Sequence, residues 1–138
     1  MFQVPGFIAD GAVLPGRVVL ISGPFKVKQV ATAADSTDRR IVGISATQRR
    51  RPQGFADSDK HAIDGEPVRV YGNGEVALAQ AQASINPGDL LIAHNDGRVK
   101  PLPASPTAGE YVVVGKALHA AAADEYVRVY VNVQLVKY

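Results

Sequence analysis

Apolar residues in this chain come in short runs, and nearly every run stops at one of the 13 glycines or 9 prolines. Runs of about four to eight residues are too short for most helices and suit strands. The clearest is Val127-Arg-Val-Tyr-Val-Asn-Val133, where valine at every second position gives the period of a strand with one buried face. Read this way, the pattern predicts strands over 17–22, 25–30, 40–47, 67–71, 90–93, 98–102, 111–118 and 126–136. Two alanine-rich stretches, 75–84 and 117–124, could be helical by propensity alone.

An internal repeat decides those two stretches. Pro15-Gly16 laid on Pro87-Gly88 sets an offset of 72 that continues without a gap. Val18-Val19-Leu20 then falls on Leu90-Leu91-Ile92, Lys26-Val27-Lys28 on Arg98-Val99-Lys100, and Ile41-Val42-Gly43 on Val113-Val114-Gly115. Further on, Glu66-Pro-Val-Arg-Val-Tyr-Gly-Asn73 matches Glu125-Tyr-Val-Arg-Val-Tyr-Val-Asn132 at an offset of 59. The first copy therefore carries 13 extra residues, within 48–61, and an insertion of this kind belongs in a surface loop. Residues 75–78 align with the end of a long apolar strand and 117–124 with the start of the insertion, so both are expected to hold at most a turn of helix.

The resulting expectation is an all-β protein with one compact, barrel-like or sandwich-like body spanning 13–138. Repeat one covers 13–79 and repeat two 84–138, packed together with pseudo-twofold symmetry. Residues 1–12 fall outside the aligned copies. With Pro5, Gly6, Gly11 and the apolar Phe2, Val4, Phe7 and Ile8, they read as an extended N-terminal arm that needs something to pack on.

Composition narrows the function. Each copy alone is near the ~60-residue size at which a domain is only marginally stable, which favours one cooperative body from the 138 residues. A hydrophobic share of 46% against 20% charged residues argues for a folded chain. With no cysteine there is no disulfide framework, thiolate metal site or cysteine nucleophile. The start lacks a basic n-region and a continuous apolar core, and no apolar run reaches membrane-spanning length, so neither a signal peptide nor a membrane partner is expected. A net charge of +2 is too small to imply nucleic acid.

Chemistry-bearing residues are sparse. His61, His94 and His119 are the only groups suited to acid-base work near neutral pH, and no two have metal-ligand spacing. His94 and His119 stand where the other copy has Ser22 and Thr47, which points to framework or loop positions. Asp57, Asp59, His61 and Asp64 could offer ligands to a cation, but the glycine and terminal glutamate of a calcium loop are missing. No nucleophile elbow or phosphate loop is present, and Tyr71-Gly-Asn-Gly-Glu75 reads as a hairpin turn. Catalytic residues, a metal, a cofactor and a small-molecule substrate are accordingly not expected. The sharpest charge feature is Arg49-Arg50-Arg51, a solvated loop tip or a dock for an acidic protein surface.

The order Pro87-Gly-Asp-Leu-Leu, Asp96-Gly-Arg-Val-Lys-Pro101, Val112-Val-Val-Gly-Lys-Ala-Leu118 and Glu125-Tyr-Val-Arg-Val-Tyr130 resembles the capsid decoration, or cement, proteins of tailed bacteriophages. The first copy shows the same grammar in Pro15-Gly-Arg-Val-Val, Val42-Gly-Ile-Ser-Ala46 and Gly65-Glu-Pro-Val-Arg-Val70, so the likeness spans the chain from about Gly11 onward. The resemblance implies a β-tulip-like, non-enzymatic protein that binds the outer surface of an assembled head in the virion. As a homotrimer it would rivet neighbouring major capsid protein subunits against internal pressure. It implies no catalytic residue. An extended arm is common in that family, which makes Phe2, Val4, Phe7 and Ile8 the candidate buried contacts and Arg49, Arg50 and Arg51 the electrostatic ones. A carbohydrate- or receptor-binding β module is the alternative, though such modules usually present aromatic platforms and this chain has no tryptophan and 7% aromatics.

Overall fold

The computed structural model describes residues 7–45, 65, 67–103, 105 and 108–138. They form eleven strands and one short helix: β1 Phe7–Ala9, β2 Val18–Gly23, β3 Lys26–Gln29, α1 Ala33–Ser36, β4 Ile41–Ser45, β5 Pro67–Val68, β6 Val70–Tyr71, β7 Val76–Gln80, β8 Leu90–Ala93, β9 Val99–Pro101, β10 Glu110–Ala117 and β11 Tyr126–Lys137. The fold is all-β and barrel-like, as the residue pattern predicts.

Two sheets carry it. The first has the order β5-β1-β3-β2-β4-β6. Its outermost strands, β5 and β6, are consecutive in the chain with only Arg69 between them, so the sheet curls until its two edges meet. The second has the order β7-β11-β10-β8-β9. There Ala81, just past β7, makes a parallel bridge to Val99 of β9 and brings the outer strands together. Each sheet is thus a small ring, and each ring has an inside and an outside.

The strand registers repeat at the sequence offsets. Val19 pairs Gln29 and Ile21 pairs Val27 in the first ring, as Leu91 pairs Pro101 and Ala93 pairs Val99 in the second. Val19 pairs Gly43 and Leu20 pairs Ile41, skipping Val42; Leu91 pairs Gly115 and Ile92 pairs Val113, skipping Val114. The same bulge therefore sits at the same place in both copies, and bulges of this sort sharpen the twist that lets a sheet close. Ser45 pairs Val70 as Ala117 pairs Val129.

The correspondence reaches further upstream than residue 13. Ala9 pairs Val27 in parallel and Phe7 pairs Val68, just as Ala81 bridges Val99 and Ala79 pairs Val127. Residues 7–9, placed in the arm by the sequence reading, are extended and lie between β3 and β5 of their own ring. Residues 1–6 lie outside the described residues.

Two other elements differ from expectation for identifiable reasons. Residues 75–78 do not extend a strand of the first ring, as their counterparts 134–137 do in β11. Where the second copy has Val131-Asn-Val133, the first has Gly72-Asn-Gly74, and Gly74 sits at φ +88°, so the chain turns and β7 crosses to pair with β11. The helix α1 has no periodic signal because it is one turn. Thr32 caps it by accepting a hydrogen bond from the Asp35 backbone N–H at 3.1 Å.

The core follows the two rings. Ala9, Val13, Val19, Val27 and Val68 fill the first, with Phe7, Val42 and Val70 against them. Their counterparts Ala81, Ile85, Leu91, Val99, Val127, Ala79, Val114 and Val129 are all buried in the second. Narrow rings accept valine and alanine, and each fully buried valine contributes roughly 1.5–3 kcal/mol. The outer face of β2 and β4, through Val18, Leu20, Ile41 and Ile44, joins the second ring's residues in one continuous cluster with Ala77, Val112 and Val131. Val18, Val19 and Leu20 are consecutive and all fully buried because β2 has a core on both sides.

Closure depends on two equivalent glycines. A Cβ on Gly43 would collide with the Tyr71 carbonyl oxygen, and one on Gly115 with the Tyr130 carbonyl oxygen. In both cases the obstacle is backbone and cannot swing away. Gly43→Ala and Gly115→Ala should each lower unfolding free energy by about 2–3 kcal/mol. Gly72→Ala, which has open space around it, should cost well under half as much. Chemical denaturation of the three variants checks this; equal effects would mean the close approach does not matter.

Candidate docking surfaces

The β8–β9 hairpin carries His94, for which the sequence points to a framework or loop position, together with Asn95 and Asp96. Its tip is the junction between the rings. The Val18 N–H donates to the Gly97 carbonyl at 2.8 Å, while Arg17 Nη1 and Gln29 Nε2 donate to the Asp96 carbonyl at 3.0 and 2.8 Å. Arg17 Nη2 also reaches Gln80 Oε1 at 2.8 Å. Gly97 has φ +90°, and an added Cβ would lie 3.1–3.3 Å from Gln29, Arg17 and the Val30 carbonyl, so glycine is needed for both conformation and space.

Charge secures the same hairpin from its own side. Arg98 donates through its backbone N–H to Asp96 Oδ1 at 3.0 Å and through Nε to Oδ2 at 2.7 Å, and its Nη1 reaches Asp124 at 2.7 Å. Burial raises the Asp96 carboxyl, but the hydrogen bonds and charge of Arg98, with Arg17 behind, outweigh it and hold the group below the ordinary aspartate value of 3.8. Arg17 and Gln29 thus join the rings at this tip, the Asp96, Arg98 and Asp124 side chains pair within the second ring, and His94 Nδ1 is buried without a hydrogen-bond partner.

The other sequence candidates separate by location. Phe7 packs inward on the first ring, and Ile8 stays partly exposed on its outer side. Phe2, Val4, Arg49, Arg50, Arg51, Asp57, Asp59, His61 and Asp64 lie outside the described residues. His119 is a turn residue: its Nε2 accepts from the Arg128 backbone N–H at 3.1 Å, and its Nδ1 lies 2.8 Å from the Ala120 carbonyl, a pairing satisfied by the Nδ1–H tautomer. A shallow groove is lined by Asp10, Ala12, Leu14, Lys28, Gln29 and Ala31.

What the sequence reading missed is an exposed apolar face. On β11, Tyr126 and Tyr130 point outward at alternate positions with Arg128 between them, and on the paired strand β7, Val76 lies opposite Tyr130 and Leu78 opposite Arg128. Leu118 adjoins through its N–H to the Arg128 carbonyl at 2.9 Å. All five apolar side chains are more than a third exposed. A contiguous face of this kind, with an arginine and two tyrosines in it, has the composition of a protein-binding patch. The signal was present in the alternation that marks Val127, Val129 and Val131 as the inner side, since it leaves Tyr126 and Tyr130 on the outer one.

The Asp96 pairing predicts a pH effect of definite sign. A carboxyl whose pKa is depressed by folding adds stability above its unfolded value, and that stability is lost as pH falls through the folded value. Asp96→Asn should therefore be less stable than the parent at pH 7 and lose less on acidification below about pH 4. Asp38, held down by its hydrogen bonds from Arg40, leaves some acid dependence in place. Parallel acid-unfolding curves for parent and variant would exclude Asp96 as a junction strut.

No family model matches this chain, and no curated protein is similar to it in sequence. Among solved structures, its fold is similar to the head fiber gp8.5 N base of bacteriophage phi29, with a TM-score of 0.56 and 17% sequence identity over 96% of this chain and 95% of that one.

Proposed function

We propose that this protein is a non-enzymatic structural component of a tailed-phage head, which binds the outside of the assembled shell and cements neighbouring major capsid subunits. The observation that carries the reading is the fold similarity along nearly the whole of both chains with a protein of a phage head. The decoration-protein grammar of the sequence supports it independently, and so does a described surface offering an apolar face in place of a reactive cleft.

The rings constrain how docking works. Strand β1 has both edges paired, to β3 and β5, so residues 7–9 cannot add to a strand of a capsid subunit while they complete their own ring. Contact through this body is face to face, and the β7–β11 face, with Tyr126 and Tyr130 as anchors, is the surface assigned to the shell. Any augmenting arm is left to residues upstream of Phe7, with Phe2 and Val4 as its apolar contacts. Arg49, Arg50 and Arg51 supply long-range attraction to an acidic capsid surface. The protein acts as a homotrimer, so many modest contacts add on a closed shell and favour the assembled state by mass action.

Cosedimentation with purified heads stripped of the protein tests this. The parent should bind saturably and raise the temperature at which heads rupture; heads that neither bind it nor gain stability would contradict the proposal. Tyr126→Ser combined with Tyr130→Ser should weaken binding at least ~30-fold, the scale of losing one interface hot spot. Deleting residues 1–6 tests the arm without removing β1, and unchanged occupancy would assign binding to the body alone. Replacing Arg49, Arg50 and Arg51 by Glu should reduce binding most at low salt, because exposed charges are screened within about 10 Å at 0.1 M. A salt profile identical to the parent's would remove the arginines from the contact.

A further inference from the structure

We infer that the free end of the first ring docks a second copy of this chain, head to tail, repeating between molecules the junction that the two rings make within one. In the internal junction, the tip of the second ring, Asp96-Gly97, seats on a wall of the first formed by the start of β2 and the end of β3. There Arg17 and Gln29 donate to the Asp96 carbonyl and Val18 donates to the Gly97 carbonyl. The duplication gives both partners of this contact a counterpart, and although the Phe25 carbonyl already accepts from the Ile8 N–H of its own ring at 2.7 Å, the side chains of the second pair meet nothing across a junction. The counterpart of the tip is Pro24-Phe25, and that of the wall is the start of β8 and the end of β9, with Leu90, Pro101 and Leu102 where the first ring has Val18, Gln29 and Val30. The backbone of the two walls is alike: the Val30 N–H donates to the Val18 carbonyl at 3.0 Å and the Leu102 N–H to the Leu90 carbonyl at 2.8 Å.

The side chains have changed together. The used tip is polar and small and meets a polar wall; the unused tip is apolar and large, and the unused wall is apolar too. Gly97 becomes Phe25, buried Ala93 becomes Ile21 at 39% exposure, and Gln80 becomes Ile8, also 39% exposed. Phe25 is 60% exposed at φ +57°, a conformation that a bulky side chain adopts only at a cost. Isolated folding would favour glycine there, as at Gly97, so an exposed phenylalanine held in that conformation is explained by a contact made outside the chain. Asp89, the counterpart of Arg17, is a polar exception on the wall, its carboxylate turned back to accept from the Asn86 N–H at 2.9 Å, and the exposed Lys26 flanks the tip. Matching an apolar tip with an apolar wall of the same chain commits the occupant to another copy. Because tip and wall are different surfaces, the contact is heterologous and propagates around a ring.

This rests on the reading of the protein as a self-associating head component, yet it is tested without heads. Sedimentation and light scattering of the full chain at tens of micromolar should show a discrete oligomer. Phe25→Gly should shift the association constant at least tenfold toward monomer while its thermal midpoint stays at or above the parent's, and Leu90→Asp should dissociate the oligomer with the β-sheet circular dichroism unchanged. The chain has no cysteine, so Phe25→Cys combined with Leu90→Cys should form disulfides between molecules on mild oxidation, and neither single variant should give more than a covalent dimer. A monomeric parent, an oligomer indifferent to Phe25→Gly, or failure of the double cysteine variant to crosslink beyond dimer would overturn the inference. Any of those results with head binding intact would leave the head reading standing, whereas an oligomer that ignores heads would sink that reading alone.

Discussion

Everything in this fold depends on the approach of a glycine backbone to a tyrosine carbonyl at the bulge of each ring. Gly43 against Tyr71 and Gly115 against Tyr130 are the same contact made twice, and no side chain fits between the partners. The bulge tightens the sheet's twist until its outer strands meet, which fixes a ring narrow enough to be filled by valine and alanine. Closure also uses up strand edges. A sheet with open edges would invite pairing with other chains, whereas a closed one must recognise partners through the faces it turns outward. The β7–β11 face and the Phe25 tip gain their importance from that restriction.

Duplication then sets what can vary. Registers, bulges and inner residues are held in common, because a one-residue slip would turn every core side chain outward. Apart from the 13-residue insertion within 48–61, divergence concentrates at hairpin tips, walls and the turn after Tyr71. There the two copies take opposite solutions: Asp96-Gly97 against Arg17 and Gln29 makes a polar contact within the molecule, and Pro24-Phe25 leaves an apolar one outside it. Gly72-Asn-Gly74 adds the crossover that sends β7 into the second sheet and ties the rings together. The rings share one continuous apolar cluster, so the junction is as much a core as the ring interiors are.

Much of this was legible in the residues. The strand period in 126–136, the glycine-valine punctuation and the offsets of 72 and 59 lead to an all-β body of two copies, and the registers follow those offsets residue by residue. Three residues, Phe7 to Ala9, make a strand too short for periodicity to reveal, and only the pairing of Ala9 with Val27 shows its place. For the hairpin at His94 to Gly97, the sequence leaves framework and loop positions both open, because it gives no sign of what packs on the tip. Burial of Gly97 against Arg17 and Gln29 is a long-range fact, set by how the rings meet. Phe25 opposite Gly97 was visible in the alignment of the copies, but its meaning needed the backbone, since a phenylalanine at positive φ is unusual only once φ is known.

Holding capsid subunits together from the outside of a phage head is the role proposed for this body, and electron cryomicroscopy of heads decorated with the protein is its test. Density for paired small β-rings is expected on the outer surface, bridging adjacent capsid subunits, with the β7–β11 face toward the shell. Density confined to the tail or the head interior, or rings touching a single subunit through some other face, would contradict it.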